Sequence, residues 1–443
     1  MNNINQKRNI LNLFKKKYFE ALRLSKVDIT KSSLASFRYL IFSNLDMSDS
    51  KKFEKKIIIT NFKSQLKNFL FLKNFKQVNF YGNMDFNNIN KYKKMILTWS
   101  YNHNFHKNGK YEDGYFKSVK NKNKILWVTV LVDQKLPNKI NNNIIIIHPQ
   151  KGNLFYGIIN ILSYLKKLLS NYKFNLRNIF HQLSYDSYLA NEVENFFQKN
   201  QLLHNVEKLI IPLESQPFQN TVIDIAKKRN VETIGYDQTG NPFPFYNSYS
   251  SISPDKLIVH SISSQNFYNK KFNWPKNKIK KIFSTRFEKK NKSYYDNKIF
   301  LPIMINNNQV ILDKINYFFN RYSQRYNFES FNICLHPATK KLKKFNEIYE
   351  KINNLKKKYK SSSKKISKKK ISLHIGNTST IVEALESGSE VIHISSSTLF
   401  DPIITNYWNS VKSIKIAQDV FNYKLKRYGH CVTFKKKGKG LIL

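Results

Sequence analysis

The chain has 443 residues, room for two domains of ordinary size, and its 41% hydrophobic content with 34 Phe and 26 Tyr excludes disorder throughout. Lys+Arg of 76 against Asp+Glu of 29 leaves a formal charge of +47, which suits an anionic partner; abundant Lys and Asn with 12 Gly and 11 Pro is also what an AT-rich genome dictates. The two cysteines, Cys334 and Cys431, argue against a disulfide scaffold or Cys-ligated zinc and fit a reducing cytoplasm.

Residues 1–50 read as a leading helical segment, in which Leu11, Leu13, Phe14, Tyr18, Phe19 and Leu22 follow a rough helical period broken by lysines. Such a segment suits packing onto a domain or lying on anionic lipid. It lacks the uninterrupted apolar core of a signal peptide, and no run of eighteen apolar residues follows, so a cytoplasmic protein, soluble or peripheral at the inner face of the membrane, is expected.

From 51 to 268 short apolar strands alternate with helices. Strands are expected at Ile57–Ile59, Val78–Tyr81, Met95–Trp99, Ile125–Leu131, Ile144–Ile147, Lys208–Ile211, Glu232–Tyr236 and Lys256–Ile262, and helices at Phe62–Leu72, Leu154–Ser170 and Gln219–Lys228. Asn269–Asn297, with little periodicity, reads as a connector. A second alternation fills 298–425: strand Ile299–Ile305, helix Val310–Tyr322, strand Asn332–His336, helix Leu342–Leu355, strand Ile371–Ile375, a short helix, and strand Glu390–Ile394. The lysine- and serine-rich run Lys356–Lys370 reads as a solvated loop, and 426–443 as a basic tail. This pattern predicts an α/β protein of two doubly wound domains, an acceptor domain at 51–268 and a donor domain at 298–425, facing across a cleft.

Candidate site residues lie where strands end. Gly376-Asn377 closes a strand, and Thr378, Ser379 and Thr380 then open a helix whose free N–H groups favour a phosphate; the same residues also suit an ordinary capped helix. Strand FNICL runs into His336-Pro337, which leaves a histidine at a strand's carboxyl end, able to donate to phosphate oxygens or to protonate a leaving phosphate. The 42 residues from His336 to Thr378 hold one helix and one loop, so the two strand ends are expected to be neighbours. A second HP element, His148-Pro149, reads as a structural turn. In the first domain Glu214 and Asp237 each follow an apolar strand, and either could be a general base, Asp237 ahead of Glu214; Glu214 could instead cap a helix and Asp237 close an Asx-turn.

An HP turn, then a Ser/Thr pair at a helix start followed by EAL and a glycine three residues on, resembles the donor domain of GT-B glycosyltransferases. More narrowly it is similar to the bacterial sialyltransferase and Kdo transferase group, which uses CMP-sugars. The segment Glu214-Ser215-Gln216-Pro217 with Gly235-Tyr236-Asp237 also looks like surface-polysaccharide transferases. The resemblance implies that His336 and Pro337 belong to the donor site, with His336 contacting the nucleotide phosphate or acting as general acid. It implies that Ser379 with Thr378 or Thr380 holds the same phosphate, and that Glu383 lies near the ribose. It departs at the acidic motif: Asp237 is followed by Gln-Thr-Gly, while the literal Glu112-Asp113-Gly114 lies far upstream.

Walker, Rossmann-glycine and zincin motifs are absent, and so is Asp-x-Asp; His103 and His106 lie in a polar loop with no third ligand nearby. The expectation is a metal-independent, inverting glycosyltransferase needing no cofactor. It would act between a nucleotide-sugar donor, a CMP-sugar among the candidates, and a surface polysaccharide or lipid-linked glycan. A sugar-nucleotide epimerase of the same fold and a basic nucleic-acid-binding protein are the alternatives, the latter without any recognised module.

Overall fold

The computed structural model describes residue 31 and, between 76 and 435, all residues except 83–88, 90, 118, 134, 152–153, 173–181, 183–184, 239–248, 303–304, 306–307, 337–338, 340–342, 360–369, 377 and 396–409. The leading helix, Ile57–Ile59 and Phe62–Leu72 therefore lie outside the described residues, as do Pro337 and the core of the Lys356–Lys370 run.

Two α/β sheets form two Rossmann-like lobes, consistent with a GT-B type architecture. The first sheet has strands β1 (Lys76–Tyr81), β2 (Lys94–Ser100), β3 (Ile125–Leu131), β4 (Ile144–Lys151), β5 (Lys208–Pro212), β6 (Glu232–Tyr236), β7 (Lys256–Val259) and β8 (Ile279–Lys281), in the order β1-β4-β3-β2-β5-β6-β7-β8. All neighbours are parallel except β1 with β4. Counted from β2, the six strands through β7 run 3-2-1-4-5-6, the doubly wound order whose switch point falls between β2 and β5. Every residue of β3 is buried. Alternate residues feed opposite faces: Leu126, Val128 and Val130 pack beneath helices α1 (Leu154–Tyr172), α2 (Tyr185–Lys199) and α3 (Pro217–Lys228), while Ile125, Trp127 and Leu131 pack with Tyr111, Phe116 and Tyr236. A strand clothed on both faces must be apolar throughout, which is why these runs are uninterrupted in the sequence.

The second sheet contains β9 (Lys298–Phe300), β10 (Asn332–Cys334), β11 (Ser372–Ile375), β12 (Val391–Ile394), β13 (Val411–Ala417) and β14 (Val420–Leu425), in the order β10-β9-β11-β12-β14-β13. The first four are parallel and the last two form an antiparallel hairpin on β12. Helices α5 (Asn308–Tyr322) and α6 (Lys343–Lys358) share one core with this sheet, and α7 (Thr380–Glu386) packs on the other side with Phe287, Tyr295 and Cys431.

In the first sheet three readings change. β4 continues through His148-Pro149 instead of turning there: past Ile147 it no longer pairs with β3, and the remaining ladder to β1 tolerates the proline. The strand expected at Lys256–Ile262 stops at Val259, because the Ser261 hydroxyl accepts the Ser264 N–H at 2.9 Å and starts helix α4 (Ile262–Phe272). Within the stretch read as a connector, α4 ends and β8 adds an edge strand to the first sheet.

Candidate active site

The segment between β8 and β9 joins the two lobes. In that segment Ser284 accepts the backbone N–H groups of Arg286 and Phe287 at 3.2 and 2.8 Å, a tight hydroxyl-closed turn. Thr285 ties the turn to the first lobe: its N–H donates to the Tyr236 hydroxyl at 3.0 Å, and its hydroxyl donates to the Tyr115 carbonyl at 2.6 Å. Phe287 is buried in the core of the second lobe. The half-buried Arg286 therefore stands where the chain passes from one lobe to the other.

Arg286 touches the first lobe directly. Its Nη1 donates to the Gln238 carbonyl at 3.0 Å, and its guanidinium lies 5.5 Å from the Tyr115 ring centre and 5.1 Å from that of Phe287. Gln238 in turn donates through Nε2 to the Glu214 carboxylate. Tyr115 senses both ends of this array: burial pushes its phenol well up, the Glu214 carboxylate adds to that, and the Arg286 charge opposes it.

The second lobe faces the same guanidinium. His336, just past β10, has its imidazole pKa lowered by burial and further by Arg286, so the ring is neutral at pH 7. Glu383, on α7, has its carboxyl pKa raised by burial, with Arg286, Lys290 and Lys117 of the first lobe opposing the rise. One arginine is thus within electrostatic reach of His336 and Glu383 while bonded to the strand-end loop that carries Asp237 and Gln238.

The loop carrying Tyr115 is held by Asp113, which is fully buried and accepts four hydrogen bonds: from Thr98 Oγ1 (3.0 Å), the Tyr111 hydroxyl (2.6 Å) and the N–H groups of Tyr115 and Phe116 (2.7 and 2.8 Å). Asp113 of the literal Glu-Asp-Gly motif is accordingly a structural anchor. Glu214 does not cap α3; the Gln219 side chain folds back to accept the N–H groups of Glu214 and Gln216 and to donate to the Pro212 carbonyl. That leaves the Glu214 carboxylate for Gln238, at the carboxyl end of β5 beside the switch point. Asp237 is 1% exposed, and its N–H donates to the Ile258 carbonyl at 2.8 Å.

β9 lies between β10 and β11, so His336 and the Thr378–Thr380 turn are two strand spacings apart, roughly 10 Å, instead of adjacent. The turn is supported from below. Gly376 adopts the left-handed conformation (φ 60°). Two buried histidines brace it: His393 bonds the Gly376 carbonyl through Nε2 at 2.8 Å, and His374 lies 3.0 Å from Thr380 Oγ1 through Nδ1. The first of these bonds makes His393 Nε2 the donor, so its Nδ1 accepts from the Tyr423 hydroxyl at 2.7 Å. His374 also bonds Ser372 Oγ at 2.6 Å through Nε2, and its burial holds its pKa well below the ordinary histidine range. Thr378 and Thr380 hydroxyls bond each other at 2.9 Å, whereas Ser379, the cap residue, makes no side-chain cap bond. Helix α7 has only seven residues, so its dipole adds little to any anion site.

Arg286, Tyr115, Gln238, His374 and His393 escaped the sequence reading. One signal was available for the first: the chain has nine arginines among its 76 basic residues, so an arginine kept where lysine is the default is worth a look. The loop histidines do not meet a metal geometry, since His106 faces Glu112 at 3.6 Å and His103 stacks on Tyr101. Among the described residues no three His, Cys, Asp or Glu side chains converge as a metal site. No helix among the described residues is long and apolar enough to cross a membrane.

No protein-family model matches the chain, and no curated protein matches it. Among solved structures the chain is similar to a glycosyltransferase from Rickettsia africae ESF-5, at 15% identity over 68% of this chain and 79% of that one, with a TM-score of 0.31. At that similarity the comparison gives no residue a role.

Proposed function

We propose that this chain is a glycosyltransferase that moves a sugar from a nucleotide-sugar donor to a hydroxyl of a surface polysaccharide or lipid-linked glycan. The observation that carries the reading is the convergence of strand-end residues from both lobes on Arg286, with Gln238 and Tyr115 on one side and His336 and Glu383 on the other. Doubly wound sheets bind ligands beyond the carboxyl ends of their strands, and a transferase needs two such sites with the reacting atoms between them.

In this reading the donor phosphate is met by Arg286, by an N–H of His336 and by the Thr378 hydroxyl, with Glu383 near the ribose. Glu214 is placed ahead of Asp237 as the base, because it sits at the switch point, hydrogen-bonded to Gln238 and in reach of Tyr115. The acceptor oxygen attacks the anomeric carbon as the bond from that carbon to the phosphate oxygen breaks. The electron pair leaves with the nucleotide, the acceptor proton passes to the carboxylate, and the configuration inverts. A CMP-activated sugar is one candidate donor.

The test is thermal stabilisation by CMP, CDP, UDP and GDP, with a short oligonucleotide alongside, at low and moderate salt. One nucleotide is expected to stabilise the protein at moderate salt, and His336→Ala and Arg286→Met are each expected to abolish that shift without unfolding the protein. Stabilisation by the oligonucleotide alone, vanishing with salt, would replace the transferase with a charge-driven nucleic-acid binder.

A further inference from the structure

A second concave site lies at the opposite edge of the first sheet. It is a pocket of about 420 Å³ where β2 and β3 begin, lined by Lys91, Lys93, Lys94, Lys120 and Lys124 together with Tyr92, Asn121, Asn123 and Ile125. β2 is seven residues long, so roughly 20 Å separates this pocket from the carboxyl ends where the candidate active site stands. Five of its nine lining residues are lysine and none is acidic, in a chain whose Lys and Arg together number 76 of 443. Composition alone would put one or two basic residues there.

Both walls are set before any ligand arrives. On one side Tyr92 is buried in the core of the lobe, and the Lys93 carbonyl accepts the N–H groups of Glu207 and Lys208 at 2.8 and 3.2 Å. On the other, the Lys122 carbonyl accepts from Trp127 Nε1 at 3.1 Å and Asn143 Nδ2 at 3.0 Å, and Asn121 takes the left-handed conformation that turns Lys120 and Lys124 about it. At the rim Glu207 lies 3.4 Å from Lys93, both well exposed. Lys91, Lys120 and Lys124 are exposed at the pocket. Holding like charges on fixed loops costs repulsion that a multivalent anion would relieve.

We infer that this pocket binds a ligand carrying two or more clustered phosphate groups. The inference stands apart from the transferase reading, since it rests on the amino edge of one lobe only. Clustered phosphates could come from a soluble polyphosphate or from the surface of an anionic bilayer, and the test separates the two. The probes are tripolyphosphate, inorganic monophosphate, and vesicles of phosphatidylcholine with and without phosphatidylglycerol, all at about 0.15 M salt where long-range attraction is screened.

The full chain is compared with the triple variant Lys91→Gln, Lys120→Gln, Lys124→Gln, and with a charge-matched control on the same lobe, Lys270→Gln, Lys276→Gln, Lys280→Gln. The expected result is binding of tripolyphosphate or anionic vesicles that falls at least roughly tenfold in the pocket variant and stays within about twofold in the control. Binding of tripolyphosphate but not vesicles assigns a soluble ligand, and the reverse assigns the bilayer. Monophosphate is expected to bind much more weakly than tripolyphosphate. Equal losses in both triple variants would overturn the inference, as would binding of neither probe by the unaltered chain.

Discussion

Glu386 offers the sharpest test of how the two lobes are joined. It is 4% exposed, and its carboxylate accepts the N–H of Gly429 at 2.5 Å, of Cys431 at 2.6 Å and of Val432 at 3.2 Å. Truncating it to alanine strands all three donors. Gly429 is half exposed and water can serve it, but Cys431 and Val432 are buried. A buried donor left without a partner costs about 1–3 kcal/mol; at about 1.5–2 kcal/mol each, two of them give about 3–4 kcal/mol against this segment staying docked. Cys431 itself reports on the docking. Its thiol is fully buried, lies 3.3 Å from the Ser410 hydroxyl, and is pushed up to about 12 by burial. With Cys334→Ser removing the other thiol, and neither cysteine disulfide-bonded, labelling by a thiol reagent proceeds only through opening of the segment. A loss of about 3–4 kcal/mol corresponds to a labelling rate raised roughly 100- to 1,000-fold in Glu386→Ala at fixed pH. Glu386→Gln keeps one acceptor and sets its amide against an N–H, so a smaller rise of about 10-fold is expected. An increase below about fivefold in the alanine variant would mean that the carboxylate does not hold the segment, and the reasoning would fail.

Other consequences can be measured alongside. Because burial and Arg286 lower the His336 pKa, an anionic nucleotide phosphate bound beside it should draw that pKa up, so binding takes up a proton. Nucleotide affinity, read by calorimetry, is then expected to rise as pH falls from 8 toward 6, and His336→Gln to flatten the profile. Glu383 has a raised carboxyl pKa, so its contribution to stability is complete below the unfolded value of 4.5 and is lost as pH rises through the folded value. Glu383→Gln should therefore raise Tm at pH 7, with the gain vanishing below about pH 4.5. His374 has the opposite sign: its pKa is well below 6.5, so its contribution is complete above 6.5 and is lost as pH falls toward the folded value. Urea midpoints are expected to decline below about pH 6.5, at up to about 1.4 kcal/mol per pH unit from this group, and less steeply in His374→Asn. Tyr423→Phe deletes the 2.7 Å bond to His393, and should cost about 1 kcal/mol in the second lobe.

How much of this was legible depended on what each residue has to satisfy. Ile125–Leu131 and Glu232–Tyr236 were found to the residue, since strands flanked by parallel neighbours and covered on both faces leave a continuous apolar run with polar ends. The hairpin β13–β14 was not anticipated: three lysines interrupt its strands, most residues of β13 are at least partly exposed, and nothing in Val411–Leu425 needs to be apolar throughout. The strand expected at Ile299–Ile305 has only three residues and ends ahead of Pro302, which has no N–H to give to a ladder. The positions of His336, Glu214 and Asp237 just past strand ends were legible residue by residue, but strand order was not, and β9 separates two ends that a residue count brought together. Beyond the scarcity of arginine, Arg286 escaped for the same reason. Its meaning comes from Tyr115, Gln238, His336 and Glu383, which are scattered over most of the chain.

The path of the last described residues bears on the order in which the molecule can be completed during synthesis. After β14 the chain returns to the first lobe: Ser263 N–H donates to the His430 carbonyl, Thr433 N–H to the His260 carbonyl, and Ser284 N–H to the Thr433 carbonyl. The first lobe leaves the ribosome early, yet its rim at His260, Ser263 and Ser284 must wait for partners made about 150 to 170 residues later. A nascent chain stalled before Gly429 would hold a first lobe with its core formed and that rim unpaired, a sticky edge until the tail arrives. Fusions or truncations that disturb residues 429–433 should then harm the lobe made first, although the change lies far along the chain from it.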